Sequence, residues 1–206
     1  MEFKIENTAI YGLNKSMIAS GNAMRTEMAN NEKEATENDF KRSCKLGTTN
    51  TGEGHDNFLN GVVVQFDIYA PLYMWKQIQR YHFMDFISSQ STMHRLTKFN
   101  VRECCVKGTD DLILMRYQDL LDEYNSFENL LPLDDKSQNR RKKLWRTLVA
   151  SLPCGFVLGA TMTTNYRQLK TIYNQRKNHK LIEWKAFCDW CESLPYFKEL
   201  CLKGVN

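Results

Sequence analysis

The residues of this chain that can do chemistry are most concentrated between residues 163 and 184, TTNYRQLKTIYNQRKNHKLIEW. At about 100° per residue, Asn165 and Arg176, which are eleven positions apart, return to nearly the same face of a helix. Arg167 points to another face, so such a helix can serve two ligands. An amide and cations in this pattern indicate a site for an anion or a nucleotide. A solvated basic face on an amphipathic helix is the alternative.

A second segment of interest covers residues 54–92. Apolar and polar residues alternate over 62–70, which predicts a strand with one well-buried face. Pro71 is then expected to begin a helix, which the apolar and aromatic residues of 81–87 would close. The polar run 88–91 that follows offers hydroxyls and backbone amides to a phosphate or a pyrimidine edge, although such runs are also ordinary turns.

Together these two segments resemble the flavin-dependent thymidylate synthases. That family has a Gly-His pair, a strand that ends in an apolar-Ala-Pro-apolar turn, and a helix in which a Gln precedes an Arg-His-Arg run. The matching pieces here are Gly54-His55, Ala70-Pro71-Leu72, Gln77 and Arg80-Tyr81-His82. The C-terminal part of the resemblance, in the family's order, comprises Leu152-Pro153, Thr164-Asn165-Tyr166-Arg167-Gln168-Leu169, Arg176 and Trp184.

The resemblance implies an α+β fold with a central mixed or antiparallel sheet and long helices, in a single domain over residues 1–206. It also implies reductive methylation of dUMP, with FAD as the cofactor and with NADPH and methylenetetrahydrofolate as co-substrates. Members of the family are homotetramers whose active sites combine residues from several subunits. Because the family uses no protein nucleophile, its site residues orient and polarise the ligands.

Site residues follow from the resemblance position by position. Those that would meet the nucleotide are Gln77, Arg80, Ser89, Gln90, Ser91, Arg146 and Arg176, with Ser91 and Arg176 nearest to the catalytic step. Those that would line the flavin are His55, Asn57, Arg80, Tyr81, His82, Asn165, Arg167 and Thr171. Arg146 is included because the family has an Arg four residues before the Pro of Leu-Pro, where this chain has Val149.

The chain departs from the family pattern at several of these positions. Arg-His-Arg has become Arg80-Tyr81-His82, which removes one permanent cation. The family's Asn-Glu pair has no counterpart around Ser88, and the Arg after its last Ser is Met93 here, unless a gap brings Arg95 to that place. A catalytically altered or silent relative that binds another pyrimidine nucleotide is therefore the alternative function.

Composition agrees with small anionic ligands. The 206 residues carry 28 Lys and Arg against 24 Asp and Glu, a net charge of +4, which is too mild for a dedicated nucleic-acid binder. The basic run 140–143 has only Trp145 as a neighbouring aromatic, so an unrelated nucleic-acid or protein-interaction protein is the third and least favoured class. With no apolar run of membrane length and no signal-like N-terminus, we expect a cytoplasmic protein without membrane partners.

Seven cysteines, an odd number, indicate reduced thiols rather than a disulfide framework. Cys188 and Cys191 have the spacing of half a zinc site, but the chain lacks a second such pair, and we predict no metal. The remaining pattern predicts a strand over 3–11, a long and mobile polar loop over 30–56, and helices over 15–28, 111–131, 137–152 and 185–194.

Overall fold

The computed structural model describes residues 1–28, 34–50, 52–130 and 132–204, without the side chain of Asn129. Strands in these residues are β1 (Lys4–Tyr11), β2 (Val63–Pro71), β3 (Asp85–Ser89) and β4 (Val157–Asn165). They form one antiparallel sheet in the order β1-β2-β4-β3. The predicted α+β class, with an antiparallel sheet and long helices, is confirmed.

Helices make up most of the remaining described chain. The α-helices are α1 (Leu13–Ala19), α2 (Glu37–Gly47), α3 (Leu72–Ile78), α4 (Thr92–Arg95), α5 (Val101–Cys104), α6 (Asp111–Ser126), α7 (Asp135–Ala150), α8 (Tyr166–Arg176), α9 (Ile182–Ser193) and α10 (Phe197–Cys201). Short 3-10 helices cover Asn22–Met24, Asn57–Gly61, Leu96–Lys98 and Phe127–Leu130. None of the helices in the described part of the chain has the length and apolar composition that a membrane crossing requires.

Strand β2 follows the alternation in its sequence. Val64, Phe66 and Ile68 are at most 1% exposed, while the residues between them are half-buried. A strand turns successive side chains to opposite faces, so an apolar residue at every second position buries one face continuously. The predicted strand is therefore confirmed, except that Pro71 ends β2 instead of beginning α3.

The prediction of a helix through residues 81–87 is wrong. Helix α3 ends at Ile78, and Asp85–Ser89 forms β3 at an edge of the sheet. Phe83 has a φ of 58°, in the left-handed region, and a residue in that conformation ends a helix. All five residues of β3 are exposed. Since neither face of this strand is buried, its sequence has no alternation of apolar and polar residues that would predict a strand.

The prediction of a long loop over residues 30–56 is largely wrong as well, because α2 occupies the centre of that segment. The helix begins in a capping box: the Thr36 hydroxyl accepts a hydrogen bond from the Asp39 N–H at 3.2 Å, and the Asp39 carboxylate accepts one from the Thr36 N–H at 3.1 Å. Asp39 also pairs with Arg42. Residues 30–33 and Thr51 lie outside the described residues, and the mobility of this region stays a prediction.

Ionisation of Asp39 is strongly favoured. Burial opposes its charge, but hydrogen bonds from Thr36 and Arg42 outweigh burial and lower the pKa of Asp39 to about 2.

The N-terminal helix is also shorter than the predicted 15–28, since α1 ends at Ala19 before Gly21. Few apolar residues mark α2, so its start depends on local capping rather than on a hydrophobic stripe.

The described chain groups into two compact units. Unit 1 comprises residues 1–4, 69–77 and 88–160, and its core contains Tyr117, Leu120, Leu148 and Phe156. Unit 2 comprises residues 5–68, 78–87 and 161–206, and its largest fully buried side chains include Trp184, Tyr166, Phe187 and Phe197. A single domain over the whole chain stays a prediction.

The two cysteines of the half-zinc spacing lie on α9 and are buried. Burial raises the pKa of the Cys188 thiol to about 11 and that of Cys191 well above its ordinary value. Metal ligation and redox attack both use the thiolate, so these thiols behave as apolar core groups at neutral pH. Within the described residues, no three His, Cys, Asp or Glu side chains are arranged to hold a metal ion.

Candidate functional site

Arg176, the last residue of α8, is held by aromatic side chains of unit 2. Its Nε donates a hydrogen bond to the Tyr81 hydroxyl at 2.7 Å, and its guanidinium carbon lies 4.7 Å from the centre of the Trp184 ring. The Tyr81 hydroxyl in turn donates to the Gln175 side chain at 3.1 Å. Among the described residues no carboxylate pairs with Arg176, so this half-buried cation is oriented while its charge stays uncompensated.

The sequence builds this arrangement through the two faces of α8. Asn165 precedes the helix, and its side-chain oxygen accepts a hydrogen bond from the Gln168 N–H at 2.9 Å. Leu169 and Ile172 are fully buried and fix the rotation of the helix. Residues 163–184 therefore span the end of β4, all of α8 and the start of α9, and the helical spacing expected for the whole segment holds only for Tyr166–Arg176.

A buried ion network lies beside the same helix in unit 2. Asp56 is fully buried, and its carboxylate accepts from Lys170 Nζ at 2.8 Å and from Arg167 Nε at 3.0 Å. The Lys170 ammonium also donates to the carbonyls of Gly47 and Thr49, each at 2.7 Å. All three of its N–H groups are used, so Lys170 is a structural cation and not one that is free to bind a ligand.

The network orients Arg167, which the resemblance assigns to the flavin. Only Nε of Arg167 is bonded to Asp56, and the side chain remains 31% exposed, which leaves its terminal nitrogens available to an anion. Asp56 stands between His55 and Asn57, so its ion pair brings Arg167 next to that pair of expected flavin residues. Sequence reasoning missed Asp56, because its two partners lie more than 110 positions along the chain.

The other expected flavin residues also belong to unit 2. Arg80 and His82 are exposed, as are His55 and Asn57. The Thr171 hydroxyl donates to the Arg167 carbonyl at 3.1 Å, which uses its only donor inside the helix. Exposed cations, and amide groups without a hydrogen-bond partner among the described residues, are the donors that a pyrophosphate and a flavin ring edge require, so the residues present fit FAD in their chemistry.

Unit 1 contains the remaining expected nucleotide residues. The Gln90 side-chain oxygen accepts from the Gly159 N–H at 2.8 Å, and the Gln90 N–H donates to the Gly159 carbonyl at 2.9 Å. Gly159 is required there, since a Cβ would lie 2.8 Å from a ring carbon of Tyr69. Gln90 is thus anchored to β4, and its side-chain amide N–H groups can donate to a ligand.

A cavity of about 360 Å³ adjoins Gln90 and is lined also by Ser91, Arg95, Lys98 and Phe99. The Ser91 hydroxyl caps α4 by accepting from the His94 N–H at 3.2 Å. Arg95 is exposed and has no carboxylate partner among the described residues. The cavity therefore brings Ser91 together with Arg95, which takes the place of the family's Arg only if the alignment has a gap. Lys98 and Phe99 were not found by sequence reasoning.

Other expected nucleotide residues lie outside this cavity. Ser89 is exposed on β3, Gln77 is half-buried on α3, and Arg146 is exposed on α7, where it lines a different cavity of unit 1. The structure thus brings together Arg176 with Tyr81, Arg167 with Asp56, and Gln90 and Ser91 with Arg95.

No protein-family profile matches this chain, and no curated protein matches it in sequence. Its fold is similar to that of the flavin-dependent thymidylate synthase ThyX from Helicobacter pylori, seen in two crystal structures with FAD and dUMP. For both, the TM-score is 0.67 and the sequence identity 15%, over 98% of this chain and 98% of the ThyX chain. The chain therefore shares the fold of a flavin-dependent thymidylate synthase along nearly its whole length.

Proposed function

We propose that this chain is an FAD-dependent enzyme that methylates, or otherwise reductively modifies, the pyrimidine of dUMP with a folate one-carbon donor. The observation that carries the proposal is Arg176, an oriented cation without a carboxylate partner among the described residues. A guanidinium held by rings and a hydroxyl presents its free N–H groups in a fixed plane, as recognition of a phosphate or a pyrimidine carbonyl requires. The ThyX-like fold supports the same proposal.

Within this proposal the side chains act by binding and orienting. FAD, reduced by NADPH, supplies the hydride chemistry when it is bound. Arg167, aimed by Asp56, and the exposed Arg80 bind the flavin's phosphates. Arg176 polarises the nucleotide, and Arg95 with Ser91 binds a phosphate in the cavity of unit 1.

The proposal includes a homotetramer with shared active sites. Strand β3 supports association, because it lies at a sheet edge and exposes both of its faces. Phe83, Phe86 and Ile87 are 69%, 41% and 52% exposed, and covering such side chains with another subunit is favourable. Size-exclusion chromatography with light scattering measures the assembly directly, and a monomer at micromolar concentration contradicts this part.

The first experiment is a visible absorption spectrum after incubation with FAD and removal of free cofactor, repeated with dUMP. A retained flavin band that shifts with dUMP supports the proposal. The matched pair of variants is Arg176→Ala and Lys177→Ala, since Lys177 is an exposed cation one residue further along. We expect dUMP affinity to fall at least tenfold in R176A and to change less than twofold in K177A, because a charge-assisted hydrogen bond contributes about 1.5–3 kcal/mol. Equal affinity of R176A and the parent protein contradicts the site.

A catalytically silent nucleotide-binding relative is the second candidate. It is favoured by Tyr81, whose hydroxyl occupies Nε of Arg176 where the family has a histidine. In that case dUMP binding depends on Arg176, but the flavin band is absent and no methylation occurs. Tyr81→His then tests the cause: recovered FAD binding in this variant assigns the loss to Tyr81, and no recovery removes Tyr81 as the explanation.

A further inference from the structure

A second candidate ligand site lies between α6 and α7 in unit 1. It is a cavity of about 490 Å³ whose walls include Tyr124, Leu133 and Trp145 together with three cations, Arg141, Lys142 and Arg146. From sequence, Trp145 was the only aromatic beside the basic run of α7. The fold adds Tyr124, which α6 brings to the same cavity.

Helical spacing explains how α7 presents both kinds of side chain. Arg141 and Trp145 are one turn apart, as are Lys142 and Arg146, so the two pairs form adjacent rows on one helix face. The Arg141 guanidinium carbon lies 4.9 Å from the centre of the Tyr124 ring, and its Nε is buried without a hydrogen-bond partner among the described residues. Stacking rather than hydrogen bonding therefore holds this guanidinium in the cavity wall.

The charges of the cavity are not balanced. Arg141 has one distant carboxylate, Glu128, at 3.9 Å. Lys142 and Arg146 are exposed, and no carboxylate of the described residues pairs with either of them. By contrast Arg140, on the same helix but outside the cavity, is paired with Glu123. Lys142 and Arg146 thus remain free to neutralise an anion.

We propose that this cavity binds a nucleotide, with the base against Trp145 and Tyr124 and the phosphate at Lys142 and Arg146. A base offers a flat apolar face to aromatic rings, and a phosphate takes the charge of nearby cations, so one nucleotide satisfies both features of the cavity. The inference goes beyond the proposed function, because it requires neither FAD nor Arg176, and it assigns Arg146, which the resemblance places at dUMP, to this separate cavity. A free 5′-mononucleotide and one residue of a single-stranded nucleic acid share this chemistry.

The test titrates the full-length protein carrying Arg176→Ala, a substitution that weakens nucleotide binding at the proposed active site. The probes are AMP and adenosine, measured by calorimetry, and a fluorescein-labelled oligomer of eight thymidines, measured by anisotropy. Trp145→Leu keeps the wall apolar but removes stacking, and Lys142→Gln removes one charge. Lys143→Gln is the control, since Lys143 is an exposed neighbour of Lys142 outside the cavity.

We expect W145L to weaken binding about tenfold, because stacking on an aromatic contributes about this factor or more per base. K142Q should weaken binding by about the same factor, because it removes a charge-assisted contact to the phosphate. K143Q should change binding less than twofold, and adenosine should bind more weakly than AMP. Binding of AMP identifies a free nucleotide as the ligand, whereas binding of the oligomer alone identifies a single strand. An equal loss in K142Q and K143Q with no effect of W145L, or no binding of any probe, overturns the inference.

Discussion

Lys170→Met is the most informative perturbation of the fold, because it removes one partner from a fully buried ion pair. Among the described residues, the variant leaves the Asp56 carboxylate with Arg167 Nε alone, and it removes the ammonium donor from two carbonyls, those of Gly47 and Thr49. Breaking a buried pair on one side costs about 3–5 kcal/mol. Arg167 still compensates part of the charge, so we expect the lower end, about 3 kcal/mol.

This cost converts into a thermal shift. At about 2.1 cal/mol/K per residue, the 206 residues have an unfolding entropy of about 0.43 kcal/mol/K. A loss of about 3 kcal/mol therefore lowers Tm by about 7 °C. Thermal unfolding followed by circular dichroism, at matched protein concentration, measures the shift. Lys177→Met is the control, since Lys177 directly follows α8, is exposed, and should change stability by less than about 0.5 kcal/mol.

A second measurement separates the ion pair from simple loss of packing. Asp56→Asn in the Lys170→Met background removes the uncompensated charge, so the double variant should be less destabilised than the sum of the two single variants, by about 1 kcal/mol or more. If the loss of unfolding free energy in the double variant equals the sum of the losses in the two single variants, the ion-pair account is refuted. It is also refuted by a Lys170→Met protein whose Tm lies within about 2 °C of the parent, since that equals about 1 kcal/mol or less.

The remaining predictions concern acid stability, packing and ligand geometry. Asp39 has a folded pKa of about 2, below its ordinary value of 3.8, so its contribution to stability is present above pH 3.8 and is lost as the pH falls through about 2. Between neutral and acid pH, the free energy of unfolding of Asp39→Asn should therefore fall by about 1–2 kcal/mol less than that of the parent protein. An equal fall in the two proteins contradicts this prediction. Gly159→Ala forces a Cβ to within 2.8 Å of the Tyr69 ring and should cost about 1–3 kcal/mol in urea unfolding; an unchanged midpoint means that Tyr69 gives way freely. Arg176→Lys keeps the charge but loses the planar fork, so dUMP affinity should fall nearly as far as in Arg176→Ala, and full affinity would show that charge alone suffices.

Aromatic stacking gives Arg176 a role in the fold as well as in the proposed site. Its guanidinium lies over Trp184, the largest of the fully buried side chains, and is hydrogen-bonded to Tyr81. Removing it loses an interaction of about 0.5–2 kcal/mol. The dUMP measurement on Arg176→Ala is therefore made below the Tm of that variant, so that binding and folding are read separately.

Several elements of the site follow from sequence because their cause is local. The alternation in β2 predicts its buried face, and the 3.6-residue period of α8 explains why Leu169 and Ile172, three positions apart, are buried on one side of the helix. Local capping would also have predicted α2, had Thr36 and Asp39 been recognised as a capping box. The prediction of a helix through residues 81–87 failed because an apolar and aromatic composition is equally suited to an exposed edge strand.

The class of fold came from the resemblance, whereas local sequence patterns determined the strand β2, the helices α6, α7, α8 and α9, and Arg176 as a candidate ligand-binding cation. Each of these depends on neighbours within a few positions along the chain. Only the tertiary structure decided that Asp56 meets Lys170, that Tyr81 meets Arg176, and that Tyr124 shares a cavity with Trp145. These contacts join residues 114, 95 and 21 positions apart. Their energies depend on burial and on direct contact, which no local pattern records.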